Sequence, residues 1–171
     1  MSTISAEQLN GFDILADLTA KERKLFSARL KERSYAAGKT IFNEGDPGGA
    51  IYFLLSGEVE ISQSLTLSMS TSGEYDQRDK SIIRLAGDHN PVFGEVSLMS
   101  SEDKRTATVK ALSNCRMGLL IEEDFFKIVD GNREVGYKVL RNLCRIISDR
   151  LVIANRNVLK LTTAISLILE K

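Results

Sequence analysis

Along the chain, apolar positions change their spacing three times, and each change predicts a different kind of element. From Ser5 to Lys31 they recur at helical intervals: Leu9, Phe12, Ile14, Leu15 and Leu18, then Leu25, Phe26 and Leu30. Thr19 and Glu22, three residues apart, form a capping-box signature at the start of the second of these helices. From Ser34 to Glu122 the pattern shortens to strand length. Its cores are Tyr35, Ile41-Phe42, Ile51-Phe53-Leu55, Val59-Ile61, Ile82-Leu85, Val109 and the run from Met117 to Ile121. Polar turns such as Asn43-Glu44-Gly45-Asp46-Pro47-Gly48-Gly49 separate them, as in a sandwich or barrel. Leu65, Leu67 and Met69 alternate with Thr66, Ser68 and Ser70, predicting a solvated hairpin between Ser62 and Lys80 with its tip at Ser72-Gly73.

After Ile121 the spacing is helical again. Glu122-Glu123-Asp124 suits a first helical turn, Phe125, Phe126, Ile128 and Val129 give it an apolar face, and Asp130-Gly131-Asn132 breaks it. The next helix carries steps of four and three through Leu140, Cys144, Ile147, Leu151, Ala154, Val158, Leu161, Ile165 and Ile168. That is a coiled-coil seam. A helix of about 35 residues is about 50 Å long, more than the flank of a small domain covers. The expected organisation is a domain over residues 1–131 and a long dimerisation helix over 132–171. Val152, Ile153, Leu167 and Leu169 widen the stripe, so folding back on the domain and docking on another protein stay open beside self-association.

Composition changes this picture little. The chain has 171 residues, 43% hydrophobic and 27% charged, the balance of a water-soluble globular protein. Lys+Arg and Asp+Glu are equal at 23 each, so no global field attracts nucleic acid. Eight Lys/Arg against three Asp/Glu from Gly131 onward read first as a solvated basic helix face. Two cysteines, Cys115 and Cys144, are too few for a disulfide framework and lie among apolar residues, as buried thiols do. No secretory signal is expected, nor an apolar run near the ~18 residues that span a membrane, so a cytoplasmic protein is expected. His89 reads as a lone exposed side chain, and no nucleophile–base pair or zinc-type cluster stands out. The expectation is a protein that is not an enzyme and has no catalytic cofactor or metal.

The chemistry concentrates in Phe93-Gly94-Glu95-Val96-Ser97-Leu98 and, after Met99-Ser100-Ser101-Glu102-Asp103-Lys104, in Arg105-Thr106-Ala107-Thr108-Val109. Gly94 admits close backbone approach or a positive φ. The turn from Glu95 to Met99 can aim backbone N–H groups at an anion. Arg105 can hold a phosphate through two parallel charged hydrogen bonds. An ionised Glu95 only accepts, which suits a ribose hydroxyl. A Glu and an Arg ten residues apart are ordinarily an ion pair or unrelated surface charges. Together in one loop with Gly94, they suggest a nucleotide.

These residues resemble the phosphate-binding cassette of the cyclic nucleotide-binding domain family, of the catabolite activator and protein kinase A regulatory-subunit type. The likeness extends upstream through YAAGKTIFNEGDPGGAIYFLLSGEVEIS and covers roughly residues 12–155. It implies a mainly β fold: an eight-stranded jelly roll with N-terminal helices and a long C-terminal helix that dimerises through Leu140, Ile147, Leu151, Ala154, Val158, Leu161 and Ile165. It also implies a ligand, cAMP or cGMP, and roles for particular residues. Glu95 would accept from the ribose 2′-hydroxyl and Arg105 would pair with the cyclic phosphate. Backbone N–H groups from Glu95 through Val96 to Ser97 would complete the anion site, and Thr106 would offer its hydroxyl to phosphate or base. Ile61, Ile83 and Leu85 would back the base and ribose, and Asn155 would reach the base from the long helix.

A threonine after the arginine accompanies cGMP in kinase-type domains, whereas bacterial proteins with a hydroxyl residue there bind cAMP, so Thr106 does not settle the base and the balance leans slightly to cAMP. Two features depart from the family pattern: Gly87-Asp88 lies further ahead of Gly94 than usual, and Lys104 stands where kinase-type domains carry proline. The implied function is a regulatory module that passes ligand binding through its last helix to a downstream protein, without direct DNA contact and without a membrane. Two alternatives share the fold: a ligand-free interaction module, and the input part of a transcription regulator lacking its DNA-binding domain.

Overall fold

The computed structural model describes residues 4–64, 79–100 and 103–169. A 3-10 turn at Asp13–Leu15 and helix α1 (Ala20–Ser27) precede strands β1 (Lys31–Tyr35), β2 (Thr40–Phe42), β3 (Ala50–Ser56), β4 (Glu58–Ser64) and β5 (Asp79–Ala86). A second 3-10 turn, Gly87–His89, leads to β6 (Val92–Phe93), α2 (Val96–Met99), β7 (Thr108–Ala111) and β8 (Cys115–Ile121). Helices α3 (Glu122–Gly131) and α4 (Arg133–Leu169) follow. The strands form two four-stranded sheets, ordered β1-β8-β3-β6 and β2-β7-β4-β5, with every pairing antiparallel. This is the expected jelly roll.

The period of β3 explains how the layers stack. Ala50, Tyr52 and Leu54 face inward between the sheets, against Val59, Phe93, Val109, Ala111 and Met117. Ile51 and Phe53 point the other way, into a core shared with Leu9, Phe12, Phe125, Val135 and Val139 from the flanking helical segments. Both faces are covered, so the strand reads as a continuous apolar run. Phe12 meets Phe53 edge to face, with ring centroids 5.2 Å apart. Burying each such side chain contributes about 1.5–3 kcal/mol.

The capping box forms as expected: the Glu22 amide donates to Thr19 Oγ1 and the Thr19 amide to the Glu22 carboxylate. The first helical pattern does not become a helix. Leu9, Phe12, Ile14, Leu15 and Leu18 are all buried, but through turns and the single 3-10 turn. Residue Asp17, at φ +65°, sits between that turn and Thr19 and ends any helical continuation. In the β4–β5 hairpin the register runs from Glu58↔Ala86 to Ser64↔Asp79, and the expected tip at Ser72-Gly73 lies outside the described residues.

Helix α4 has two regimes. Val135, Val139 and Leu143 are buried in the core, and a Cβ on Gly136 would stand 2.3 Å from the Val129 carbonyl oxygen, so only glycine lets α4 pack this close to α3. The chain breaks between α3, which ends at Gly131, and α4, which begins at Arg133, and the first turns of α4 belong to the domain's core. From Leu151 onward every described residue is exposed. The nine seam positions are exposed throughout, including Cys144, which corrects the expectation that both thiols are buried. It faces outward because the docked side of α4 is the Val135-Val139-Leu143 side. A second correction concerns apolar length. By length and composition Arg133–Leu169 is apolar enough to cross a membrane, alone in this among the described residues. Scattered polar residues interrupt its runs without lowering the average enough.

Candidate functional site

Gly94 has φ +79°, a region open to glycine and costly to other residues, and a Cβ there would stand 2.7 Å from Arg105 Nη1 and 3.1 Å from the Ala50 carbonyl oxygen. The turn therefore needs glycine twice over. It delivers Glu95, 1% exposed, and Ser97, 5% exposed, into the interior at the start of α2.

Arg105 enters the same place from the far side of the cassette. Loop 43–49 holds its backbone: Arg105 N–H donates to the Asp46 carbonyl (2.8 Å), Gly45 N–H to the Arg105 carbonyl (2.8 Å) and Gly48 N–H to the Asp103 carbonyl (3.1 Å). Its Nη1 donates to the Ala50 carbonyl (2.9 Å), the Gly94 carbonyl (3.0 Å) and Ser97 Oγ (2.9 Å). The guanidinium carbon lies 4.3 Å from the centroid of the Phe42 ring, which adds a cation–π attraction. Burial pulls the Arg105 pKa below the ordinary guanidinium value, while Tyr52, Asp103, Asp46 and Glu95 oppose that shift. An arginine so placed stays charged at neutral pH.

Two buried polar atoms here have no hydrogen-bond partner: Glu95 Oε2 and Arg105 Nε. Unsatisfied buried groups are costly and demand a reason. A carboxylate oxygen asks for a donor and a guanidinium N–H for an acceptor.

The second wall comes from α4. Arg150 donates through Nη1 to the Glu95 carboxylate and through Nη2 to the Val92 carbonyl (2.6 Å). One stripe of the helix, Arg150, Ile153, Ala154 and Asn157, closes a cavity of about 460 Å³. Nine of the residues expected from sequence line it: Ile61, Ile83, Leu85, Gly94, Glu95, Val96, Ser97, Arg105 and Thr106. Asn155 does not, and this corrects the sequence expectation. It lies on the same helix, between Ala154 and Asn157, but off the i, i+3, i+4, i+7 stripe that faces the cavity. Sequence reading missed Arg150, Asn157, Phe42, Gln63 and Val109. The helical stripe was readable, but only once one of its residues had been anchored. Among the described residues no group of His, Cys, Asp or Glu is placed to hold a metal ion.

The family model of the cyclic nucleotide-binding domain matches residues 32–132. Glutaminase 1 of Bradyrhizobium diazoefficiens is 28% identical over 152 residues, covering 88% of this chain and 22% of that protein. The cyclic AMP receptor protein of Thermus thermophilus is 28% identical over 127 residues, covering 71% of this chain and 50% of that protein. The crystal structure of the Thermus thermophilus catabolite activator protein superposes with a TM-score of 0.71 at 26% identity, covering 88% of this chain and 63% of the other. The chain thus spans half or less of the length of these two curated relatives.

Proposed function

The chain belongs to the cyclic nucleotide-binding domain family, and from that premise we propose that it is a regulatory module whose cavity takes cAMP or cGMP. The observation that carries this is the pair of unsatisfied buried atoms, Glu95 Oε2 and Arg105 Nε, at one end of an otherwise apolar cavity. A ribose hydroxyl supplies the missing donor and a cyclic phosphate the missing acceptor. The backbone of Gly94, Val96 and Ser97 completes the anion site, Thr106 lies beside it, and Ile61, Ile83 and Leu85 back the base.

Arg150 gives this binding an outlet. It ties the ribose-binding carboxylate to α4, so a hydroxyl arriving at Glu95 changes what holds the helix. A ligand shifts such an equilibrium only by its differential affinity for the two states, and the Glu95–Arg150 pair is where that difference arises. The exposed seam from Leu140 to Ile168 then joins two copies as a parallel coiled coil, with residues 132–171 as the transmitting unit. The action is regulatory, not catalytic, is exerted on a protein partner and not on DNA, and takes place in the cytoplasm.

Isothermal titration with cAMP and with cGMP, on the wild type and on Arg105→Ala, tests the reading. Micromolar or tighter binding that disappears in the variant supports it. Folded, ligand-free protein silent to both nucleotides sinks it, and favours an interaction module of the same fold.

A further inference from the structure

Arg105 has to stay charged inside the fold without spending every donor it has. Among the described residues it forms no ion pair. Its Nη1 is committed to the Ala50 and Gly94 carbonyls and to Ser97 Oγ, and its Nε is buried without a partner. What lies against the guanidinium is the Phe42 ring, with its centroid 4.3 Å from the guanidinium carbon, and beyond it the Tyr52 ring at 5.5 Å. An aromatic face attracts a cation through its quadrupole and uses no N–H donor in doing so. A carboxylate in that place would neutralise the charge and take the donors that a phosphate needs.

The placement of Phe42 is built into the backbone. Between Thr40 and Phe42, strand β2 advances two residues while β7 advances one, from Lys110 to Val109. The extra residue makes a β-bulge, a device that re-aims side chains beside binding sites. Strand alternation would send Ile41 and Phe42 to opposite faces, yet both pack against the core between the sheets. The Phe42 ring is buttressed by Tyr52 and Phe93, at centroid distances of 5.5 and 6.2 Å, and those two rings stack on each other at 5.1 Å. Phe42 also lines the cavity.

We propose that Phe42 is a positioning residue for the phosphate: its π face holds the Arg105 guanidinium as a charged plate and leaves the Nε edge for the anion. The proposal rests on the cyclic nucleotide reading of the cavity. The ring face carries negative quadrupole density, so it attracts the guanidinium and turns an anion away towards the guanidinium edge. Nucleotide affinity then depends on the electron density of a ring that acts through the arginine.

The test is titration calorimetry with cAMP and cGMP on the full chain, with position 42 carrying phenylalanine or its analogues with successively more ring fluorines. Fluorine nearly keeps the shape of the ring and drains its π face. Affinity for the nucleotide that binds should fall stepwise, by about tenfold in total at the most fluorinated ring. Phe42→Leu should lose at least as much. The same analogues at Phe53, whose ring meets Phe12 in the other core, should leave affinity unchanged. A flat fluorine series at position 42, even beside a loss in Phe42→Leu, would make Phe42 a packing residue and overturn the proposal with the site reading intact. An equal fall from the Phe53 series would overturn it too. A wild type that binds neither nucleotide removes the site reading itself, and this proposal with it.

Discussion

Arg150 of α4 donates to the carboxylate of Glu95, which is 1% exposed and whose other oxygen has no partner. The pair is therefore the only hydrogen-bonded support the described residues give this carboxylate. Arg150→Ala leaves the charge buried and unpaired, a loss of about 1–3 kcal/mol. Urea denaturation should register it, and adding Glu95→Gln should return part of the stability because a neutral amide tolerates the missing cation. Identical midpoints for wild type and Arg150→Ala would remove the pair from the account.

The same link predicts a response in dynamics. Saturating cyclic nucleotide should change hydrogen-exchange protection of α4 amides beyond residue 150 in the wild type, and much less in Arg150→Ala. Equal protection with and without ligand in the wild type would show that the helix does not sense the pocket.

Arg105 combines binding and structural roles. Its Nη1 satisfies the carbonyls of Ala50 and Gly94, so Arg105→Ala should lower stability by about 1–3 kcal/mol in addition to abolishing nucleotide binding. Arg105→Lys should restore part of the stability but little of the affinity, since an ammonium cannot reproduce the planar fork. Thermal melts beside calorimetry separate the two effects.

Gly94→Ala should behave differently from a simple pocket change. The left-handed backbone costs alanine about 1–2 kcal/mol, and the new methyl pushes on the Arg105 guanidinium. Both stability and phosphate affinity should fall, whereas alanine at Gly131, where an added Cβ meets open space, should leave affinity untouched.

Acid should weaken the anchorage of α1 to α4. Hydrogen bonds from the Thr19 backbone, then from the Thr19 hydroxyl and Lys138, hold the Glu22 pKa below its ordinary 4.5. A carboxylate with a depressed folded pKa stabilises the fold above its unfolded value and loses that contribution as pH falls through the folded value. Melting temperature should therefore drop below pH 4.5, and Glu22→Gln should melt lower at neutral pH with a shallower acid slope. Parallel slopes would remove Glu22 from the acid response.

Much of this was legible in the sequence because it depends on local chemistry. Thr19 and Glu22 announce their cap at fixed spacing, Gly94 its turn, and Asp130-Gly131-Asn132 the break between α3 and α4. Strand alternation also survives folding, because β3 keeps its period with both faces covered. What was not legible depends on how distant elements meet. Leu9 to Leu18 have helical spacing, but tertiary packing buries them equally well through turns. Which face of α4 looks into the cavity is set by Val135, Val139 and Leu143 docking at its other end. Asn155 therefore falls off the stripe of Arg150, Ile153, Ala154 and Asn157 that lines the cavity. Arg150 gave no local signal, since one arginine among several on a helix looks like a solvated charge until its partner is known.

Ala154 has two addresses: it lines the cavity, and it is one of the nine apolar positions of the α4 seam. The same small side chain borders the space proposed for a ligand and belongs to the face proposed to meet a second helix. If both are occupied as proposed, the two equilibria are reciprocal by thermodynamic necessity, each partner changing the other's affinity by the same factor. The amount of protein in the tube then becomes a variable of its ligand affinity. A titration repeated across a hundredfold dilution series would measure association between chains without observing the chains themselves.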